Sequence, residues 1–262
     1  MPKTSVALGL VALLSVGLAG ATARAEATKQ AVGQPLARFD HLKPGVHRYL
    51  RYKVEGDART AIDIWSRSVR FETQGGQPRL HLAQRWDKVS GPVPWVVQDS
   101  WFETGTMRPL THVRRLVRDG KAELGGYEFH PDRIVGMADL AENSRKDFQI
   151  ASPEPAYNFE YDMELLQALP LARGYAADLV FYDPGQAPPA HYVFKVDGEG
   201  EVAGPDGRKV PCWLVTADYN TGKVASRFWF AKGSQVMIRE ETTLPDGALL
   251  VKTLLPPEAA DA

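Results

Sequence analysis

Apolar and polar residues alternate along most of the chain. Leu50, Tyr52 and Val54 alternate with charged residues, and this period of two is typical of a strand with one face in water. Similar segments follow one another, separated by short turns such as Asp119-Gly120. Strands joined by short turns are usually neighbours in space. We therefore predict a mostly β protein built on a single curved antiparallel sheet, a half-open barrel.

One predicted strand contains a change of phase. Ile62 and Ile64 fall on one side of the alternation, whereas Val69 and Phe71 fall on the other. One extra residue in a strand reverses the side on which every later side chain lies. We therefore expect one strand with a β-bulge in this segment.

Residues 157–184 interrupt the strand pattern. Two prolines precede a short stretch in which apolar residues recur at helical spacing, and Pro170 ends it. A helix of about two turns is marginal alone, so it must pack on an apolar surface. We predict a short helical lid over the concave face of the sheet. Its inward face consists of Tyr161, Leu165, Leu166 and Leu169.

The first residues have the layout of a secretory signal. Lys3 supplies a positive charge, residues 6–18 are apolar, and small residues stand at Ala23 and Ala25. The apolar run is shorter than the roughly 20 residues that span a bilayer. We therefore predict a cleaved signal peptide at residues 1–25, a periplasmic protein, and no transmembrane span after cleavage.

The rest of the chain divides into two parts. Residues 26–45 are polar and contain prolines and glycine, which predicts a flexible N-terminal arm. Residues 46–256 carry the strand pattern without a convincing linker, which predicts a single antiparallel β domain. The formal net charge is -1, so we expect no nucleic-acid partner. The basic cluster of Arg114, Arg115 and Arg118 is interpreted as part of a solvated strand.

Three segments together resemble one group of exported bacterial proteins. They are Trp101-Phe102-Glu103 with Thr106-Met107-Arg108-Pro109-Leu110, the stretch from Asn158 to Pro170 with its Leu-Leu-x-x-Leu-Pro-Leu ending, and Arg227-Phe228-Trp229-Phe230 followed by Met237-Ile238-Arg239. The group is a family of uncharacterised periplasmic proteins, similar in architecture to the LolA/LolB-like lipoprotein-localisation factors. The resemblance implies a half-open barrel with a helical lid, whose cavity holds acyl chains in the lipoprotein carriers. Those carriers are usually shorter, and no acyl-contacting residue aligns, so no binding residue is carried over.

Candidate catalytic groups are sparse in the sequence. Cys212 lies in an apolar strand, where a free cysteine is typically a small buried residue. The six histidines lack the close spacing of metal ligands, although distant strands could still assemble a site. No Gly-x-Ser-x-Gly elbow occurs. Glu160, Asp162 and Glu164 could be acid and base groups, but their helical spacing favours a solvated face. We expect no catalytic residue, no metal, no cofactor and no enzyme activity.

Aromatic residues supply the remaining signal, with six Trp, nine Tyr and ten Phe. A short helix cannot cover the whole apolar face of a curved sheet, so a second layer or a ligand must cover the rest. The ligand-binding candidates are the lid face and four inner-face aromatics, Trp101, Phe194, Phe228 and Phe230.

These observations lead to three functional hypotheses. The first is an exported envelope protein that binds or carries a lipophilic ligand, with a lipid or lipoprotein acyl chain as its partner. The alternative is a structural accessory of the envelope that has a filled core and binds an envelope protein. A hydrolase that acts on envelope material ranks last.

Overall fold

The computed structural model describes residues 27–90, 94–185 and 187–258. Within these residues sixteen strands form one sheet, and one α-helix accompanies it. The predicted signal peptide at residues 1–25 lies outside the described residues. In the part of the chain that is described, no helix has the length and apolar character needed to cross a membrane.

The strands follow the chain as a meander. The first nine are β1 (Thr28–Lys29), β2 (Gly45–Glu55), β3 (Ala58–Gln74), β4 (Gln77–Lys88), β5 (Val96–Glu103), β6 (Pro109–Arg118), β7 (Lys121–Phe129), β8 (Arg133–Gly136) and β9 (Gln149–Ala151). The middle of the chain holds β10 (Tyr157–Asn158), a 3₁₀ turn (Phe159–Tyr161) and the helix α1 (Asp162–Gln167). The last strands are β11 (Ala176–Asp183), β12 (Ala187–Ala203), β13 (Lys209–Ala217), β14 (Ser226–Ala231), β15 (Met237–Thr243) and β16 (Leu249–Leu254).

Two antiparallel meanders join to make the sheet. Strands β11 to β16 pair in chain order, β16 pairs with β2, and β2 to β9 continue in chain order. The short strands β1 and β10 both pair with β11 and are parallel to it. The hydrogen-bonded order begins at β1 and ends at β9, so the sheet is not closed into a barrel. The predicted mostly β fold, with one curved antiparallel sheet and one short helix, is confirmed.

Strand β3 contains a bulge, but not where the change of phase predicted it. Arg51 of β2 pairs with Asp63, whereas the next residue, Tyr52, pairs with Ala61, so Ile62 is the extra residue. This bulge precedes Ile64 and therefore does not account for a change of phase between Ile64 and Val69. From Asp63 to Val69 alternate residues are buried without a break, so Ile64 lies on the outer face of the sheet and Val69 on the inner face.

The two ends of the sheet overlap. Leu179 and Phe181 of β11 belong to the main core, whereas Val180 and Tyr182 belong to a second apolar cluster with residues of β7 and β8. The Tyr182 ring lies 6.2 Å from the ring of Tyr127. Strand β11 is thus buried on both faces, which explains its nearly continuous apolar sequence. Side-chain packing of β11 on β7 and β8 closes the roll.

The helix α1 lies inside this roll. All six of its residues are buried, including its polar residues. The preceding 3₁₀ turn is capped by Asn158, whose side chain accepts a hydrogen bond from the Glu160 N–H at 3.1 Å. A helix this short is stabilised by tertiary packing more than by its own hydrogen bonds. It fills the concave face that it was predicted to cover.

Residues 27–45 of the N-terminal segment are not a loose arm, which corrects the prediction of a flexible arm at residues 26–45. Leu36 and Leu42 are buried in the main core, and the Leu36 N–H donates to the carbonyl of Gly105 at 2.9 Å. The segment lacks strand or helix periodicity, so its sequence resembles a flexible lead-in. It is ordered because its two leucines contribute to the core of the rolled sheet.

Candidate functional site

The main core brings together all but one of the eight predicted ligand-binding residues. They are Tyr161, Leu165, Leu166, Leu169, Phe194, Phe228 and Phe230, each at most 2% exposed. These side chains pack on one another and on the inner face of the sheet. The Tyr161 hydroxyl, for example, donates to the Met107 carbonyl at 2.9 Å. They contact protein and not solvent, so a ligand would have to displace part of the core to reach them.

Trp101 lies on the opposite face of the sheet, so its assignment to the inner face was wrong. Its ring stacks on His81 with the centroids 4.1 Å apart, and its indole N–H donates to Asp99 at 2.9 Å. The neighbouring Phe102 takes the inner position and is fully buried. Adjacent strand residues point to opposite faces, so only one aromatic of this pair can enter the core.

The acidic residues near α1 are not a solvated face, contrary to the prediction from their spacing. Glu164 is buried and forms a bidentate ion pair with Arg67 of β3, in which the Arg67 Nε–H donates to Oε1 at 2.7 Å. Arg67 also donates to the side-chain oxygen of Gln84 at 2.9 Å and to the carbonyl of Glu160 at 3.1 Å. The sequence signal for this ion pair was an arginine at an inner position of a strand, because a buried guanidinium requires a partner.

An open hollow next to α1 is lined by both aromatic and ionisable side chains. Its volume is about 380 Å³. Phe159, Tyr192 and Tyr219 form an aromatic wall, with ring centroids 5.7–5.9 Å apart. Tyr219 has a φ of 48°, a conformation that residues other than glycine seldom adopt. Such backbone outliers persist only where tertiary contacts hold them in place.

A polar network lies opposite the aromatic wall and joins three strands. The hydroxyls of Ser226 and Thr242 are 2.7 Å apart, and Thr242 donates to Glu240 Oε1 at 3.0 Å. The Lys252 ammonium donates to the same oxygen at 2.8 Å and lies 4.9 Å from the ring centre of Trp65. Glu240 is therefore a buried carboxylate with a charged partner.

Two further carboxyl groups line the hollow. Burial raises the pKa of Asp162 to about 7; Glu240 and Glu164 also raise it, while Lys252 and Arg67 oppose the rise. Burial likewise raises the pKa of Asp183 to about 6. Carboxyl groups with such pKa values change their charge near neutral pH, and groups of this kind are frequent at functional sites.

Two other groups with possible chemistry are fully buried. Burial raises the pKa of the Cys212 thiol to about 11, so the thiolate is disfavoured. Ser100 and His112 face each other across β5 and β6, with the Ser100 oxygen 2.8 Å from Nδ1 of His112. Burial lowers the pKa of His112 to about 4. Sequence reasoning missed the contact between Ser100 and His112 because it depends on strand register.

Among the described residues no group of three or more His, Cys, Asp or Glu residues could hold a metal ion.

Sequence reasoning also missed the hollow. Its aromatic residues come from the 3₁₀ turn, from β12 and from the segment after β13. Each one alone looks like an ordinary strand or turn residue. Only the roll of the sheet around α1 brings them beside Asp162.

Comparisons with known proteins agree with the fold. The profile of DUF3108, described as a protein of unknown function, matches residues 51–253. No curated protein matches the chain. A solved structure described as a β-barrel-like protein of the domain of unknown function DUF1849, from Brucella abortus, is similar, with a TM-score of 0.52 and 12% sequence identity. The similarity covers 84% of this chain and 99% of that one. At this identity it supports the fold alone.

Proposed function

We propose that this chain, which belongs to the DUF3108 family, is an exported envelope protein that binds an amphipathic, lipophilic ligand without catalysing a reaction. The observation that carries the proposal is the hollow of about 380 Å³, with aromatic rings on one wall and a polar network on the other. Pockets of roughly this volume that combine apolar walls with a few polar groups are typical binding sites for small molecules. The signal-like pattern at residues 1–25 supports export to the periplasm.

The ligand lies in the hollow and not in the interior of the roll. Helix α1 and the inner-face aromatics already occupy the interior. An apolar chain would pack on Phe159, Tyr192 and Leu250, and a head group would reach Asp162 or Lys252. The resemblance of the sequence to lipoprotein-localisation factors supports an acyl chain as the apolar part.

A binding measurement with a matched variant tests this proposal. Delipidated protein is titrated with a fluorescent fatty acid and with extracted envelope lipids. We expect saturable binding that Tyr192→Ala weakens by about tenfold, the equivalent of roughly 1.4 kcal/mol. Trp101→Ala is the control, because it removes a partly exposed aromatic that lies outside the hollow and on the outer face of the sheet. Absence of saturable binding by the wild-type protein would overturn the proposal, as would equal losses in the two variants.

The filled core favours a second candidate function, that of an envelope accessory without a ligand. Tyr161, Phe228 and Phe230 on the inner face are each 0% exposed. Native mass spectrometry of protein purified from its own envelope separates the two functions. A co-purifying lipid supports the carrier, whereas a stable protein partner without lipid supports the accessory.

A further inference from the structure

The aromatic hollow carries more acidic than basic groups. Asp162, Asp183, Glu240 and Lys252 line it. Lys252 is bound to Glu240, which leaves Asp162 and Asp183 without a cation of their own among the lining residues. Two arginines near these carboxyl groups are each committed to a glutamate. Arg67 binds Glu164, and Arg114 lies 3.5 Å from Glu160.

Asp162 is the more buried of the two carboxyl groups, with 7% of its surface exposed. Its Oδ1 accepts the N–H of Met163 at 2.8 Å. Within the described part of the chain no hydrogen-bond donor contacts Oδ2. A buried carboxylate is stabilised by a cation or by further donors, and Asp162 lines the hollow in which such a group could lie.

We propose that the hollow binds the ammonium head group of a cationic amphiphile, held between the aromatic wall and the carboxylates of Asp162 and Asp183. This inference rests on the proposed function and adds the chemical class of the head group. Aromatic faces attract cations, and quaternary ammonium ligands are often recognised by clustered aromatic rings. The combination of Phe159, Tyr192 and Tyr219 with two carboxyl groups matches that chemistry and favours a cationic head group over an anionic one.

Binding of a cation should depend on pH in a defined direction. The charged groups that influence the pKa of Asp162 are Lys252 of β16, Glu240 of β15, Arg67 of β3 and Glu164 of its own helix. Asp183, Tyr192 and Tyr219 are the other titratable residues that line the same hollow. Its pKa of about 7 means that the free protein holds much of this group protonated below neutral pH. A cation prefers the ionised carboxylate, so affinity should rise from pH 5.5 to pH 8 and binding should release protons.

The experiment compares three probes with the same chain and different head groups. Decyltrimethylammonium, decyl sulfate and decyl glucoside are titrated into the full chain by calorimetry at pH 8, below micelle formation. We expect the ammonium probe to bind at least about tenfold more tightly than the other two, since opposite charges attract strongly in partly buried sites. Titration with tetramethylammonium, which lacks the decyl chain, measures how much the head group alone contributes to binding.

Two variants locate the effect. Asp162→Asn should reduce affinity for the ammonium probe by about tenfold and leave that for decyl glucoside unchanged. Asp139→Asn is the matched control, because Asp139 is exposed and does not line the hollow. If Asp162→Asn does not fold, the wild-type pH profile still decides, and equal affinity at pH 5.5 and pH 8 overturns the inference.

The outcomes separate this inference from the proposed function. Equal binding of the three probes, or preference for decyl sulfate, overturns the cationic head group but leaves an amphiphile-binding protein. Binding of none of the probes, together with no saturable binding of fatty acid or envelope lipid, overturns both.

Discussion

The ion pair between Arg67 and Glu164 should be a major determinant of stability. Arg67 is 0% exposed and the Glu164 side chain is 7% exposed. Glu164→Ala leaves a buried guanidinium without its anion, and removal of one partner from a buried pair typically costs about 3–5 kcal/mol. Arg67 retains its hydrogen bonds to Gln84 and to the Glu160 carbonyl. We therefore expect a loss near the lower limit, about 3 kcal/mol of unfolding free energy.

Urea unfolding at pH 7 measures this loss of free energy directly. In thermal unfolding, a change of about 3 kcal/mol should lower the Tm by roughly 6–12 °C for a domain of this size. Glu201→Ala is the control, because Glu201 is exposed and its pairing with Lys209 at 3.7 Å lies on the surface. The double variant Arg67→Met with Glu164→Leu should recover most of the stability, since apolar replacements remove both buried charges. A loss below about 1 kcal/mol in Glu164→Ala would refute a dry, tightly coupled pair.

Three further predictions follow from the buried groups. Leu42→Ala should cost about 2–5 kcal/mol of unfolding free energy in urea titration, because Leu42 is a core residue; a flexible arm would show no change. The pKa of His112 is about 4 in the folded protein, below the usual value near 6.5 in an unfolded chain. Protonation therefore favours unfolding, and stability should fall from pH 6.5 to pH 4 by about 3 kcal/mol more in the wild type than in His112→Gln. Cys212 should react with iodoacetamide at pH 8 only after unfolding, as measured by mass spectrometry; fast labelling of the native protein would contradict its burial.

Local patterns were sufficient to predict several elements. The alternation around Leu50 and the turn residues between strands predicted the meander, because side chains of a strand alternate with a period of two. The change of phase between Ile64 and Val69 was misread as a bulge, because Ile64 is an apolar residue on the outer face of a strand that alternates without a break there. The spacing of Leu165 and Leu169 predicted the short helix, although all six of its residues are buried and not one face alone. These features depend on residues close in sequence.

The candidate site could be predicted only in part. The sequence contains two adjacent aromatics at Trp101 and Phe102, and alternation alone does not say which of them points inward. Trp101 was assigned to the wrong face for that reason. The ion pair of Arg67 with Glu164 joins residues that are far apart in the chain. Its existence depends on where the helix lies inside the sheet, and spacing within the helix carries no information on that.

The sequence by itself determined the class of structure: alternating strands, short turns and one short helix. The tertiary structure alone decided how these parts close. Alternation specifies that a face of β11 is apolar, but not that β7 and β8 cover it. The roll buries all six residues of α1, and the hollow of about 380 Å³ lies beside the helix at Asp162. The physical reason is that local periodicity reflects which side chains avoid water, whereas the partner that excludes the water comes from a distant part of the chain.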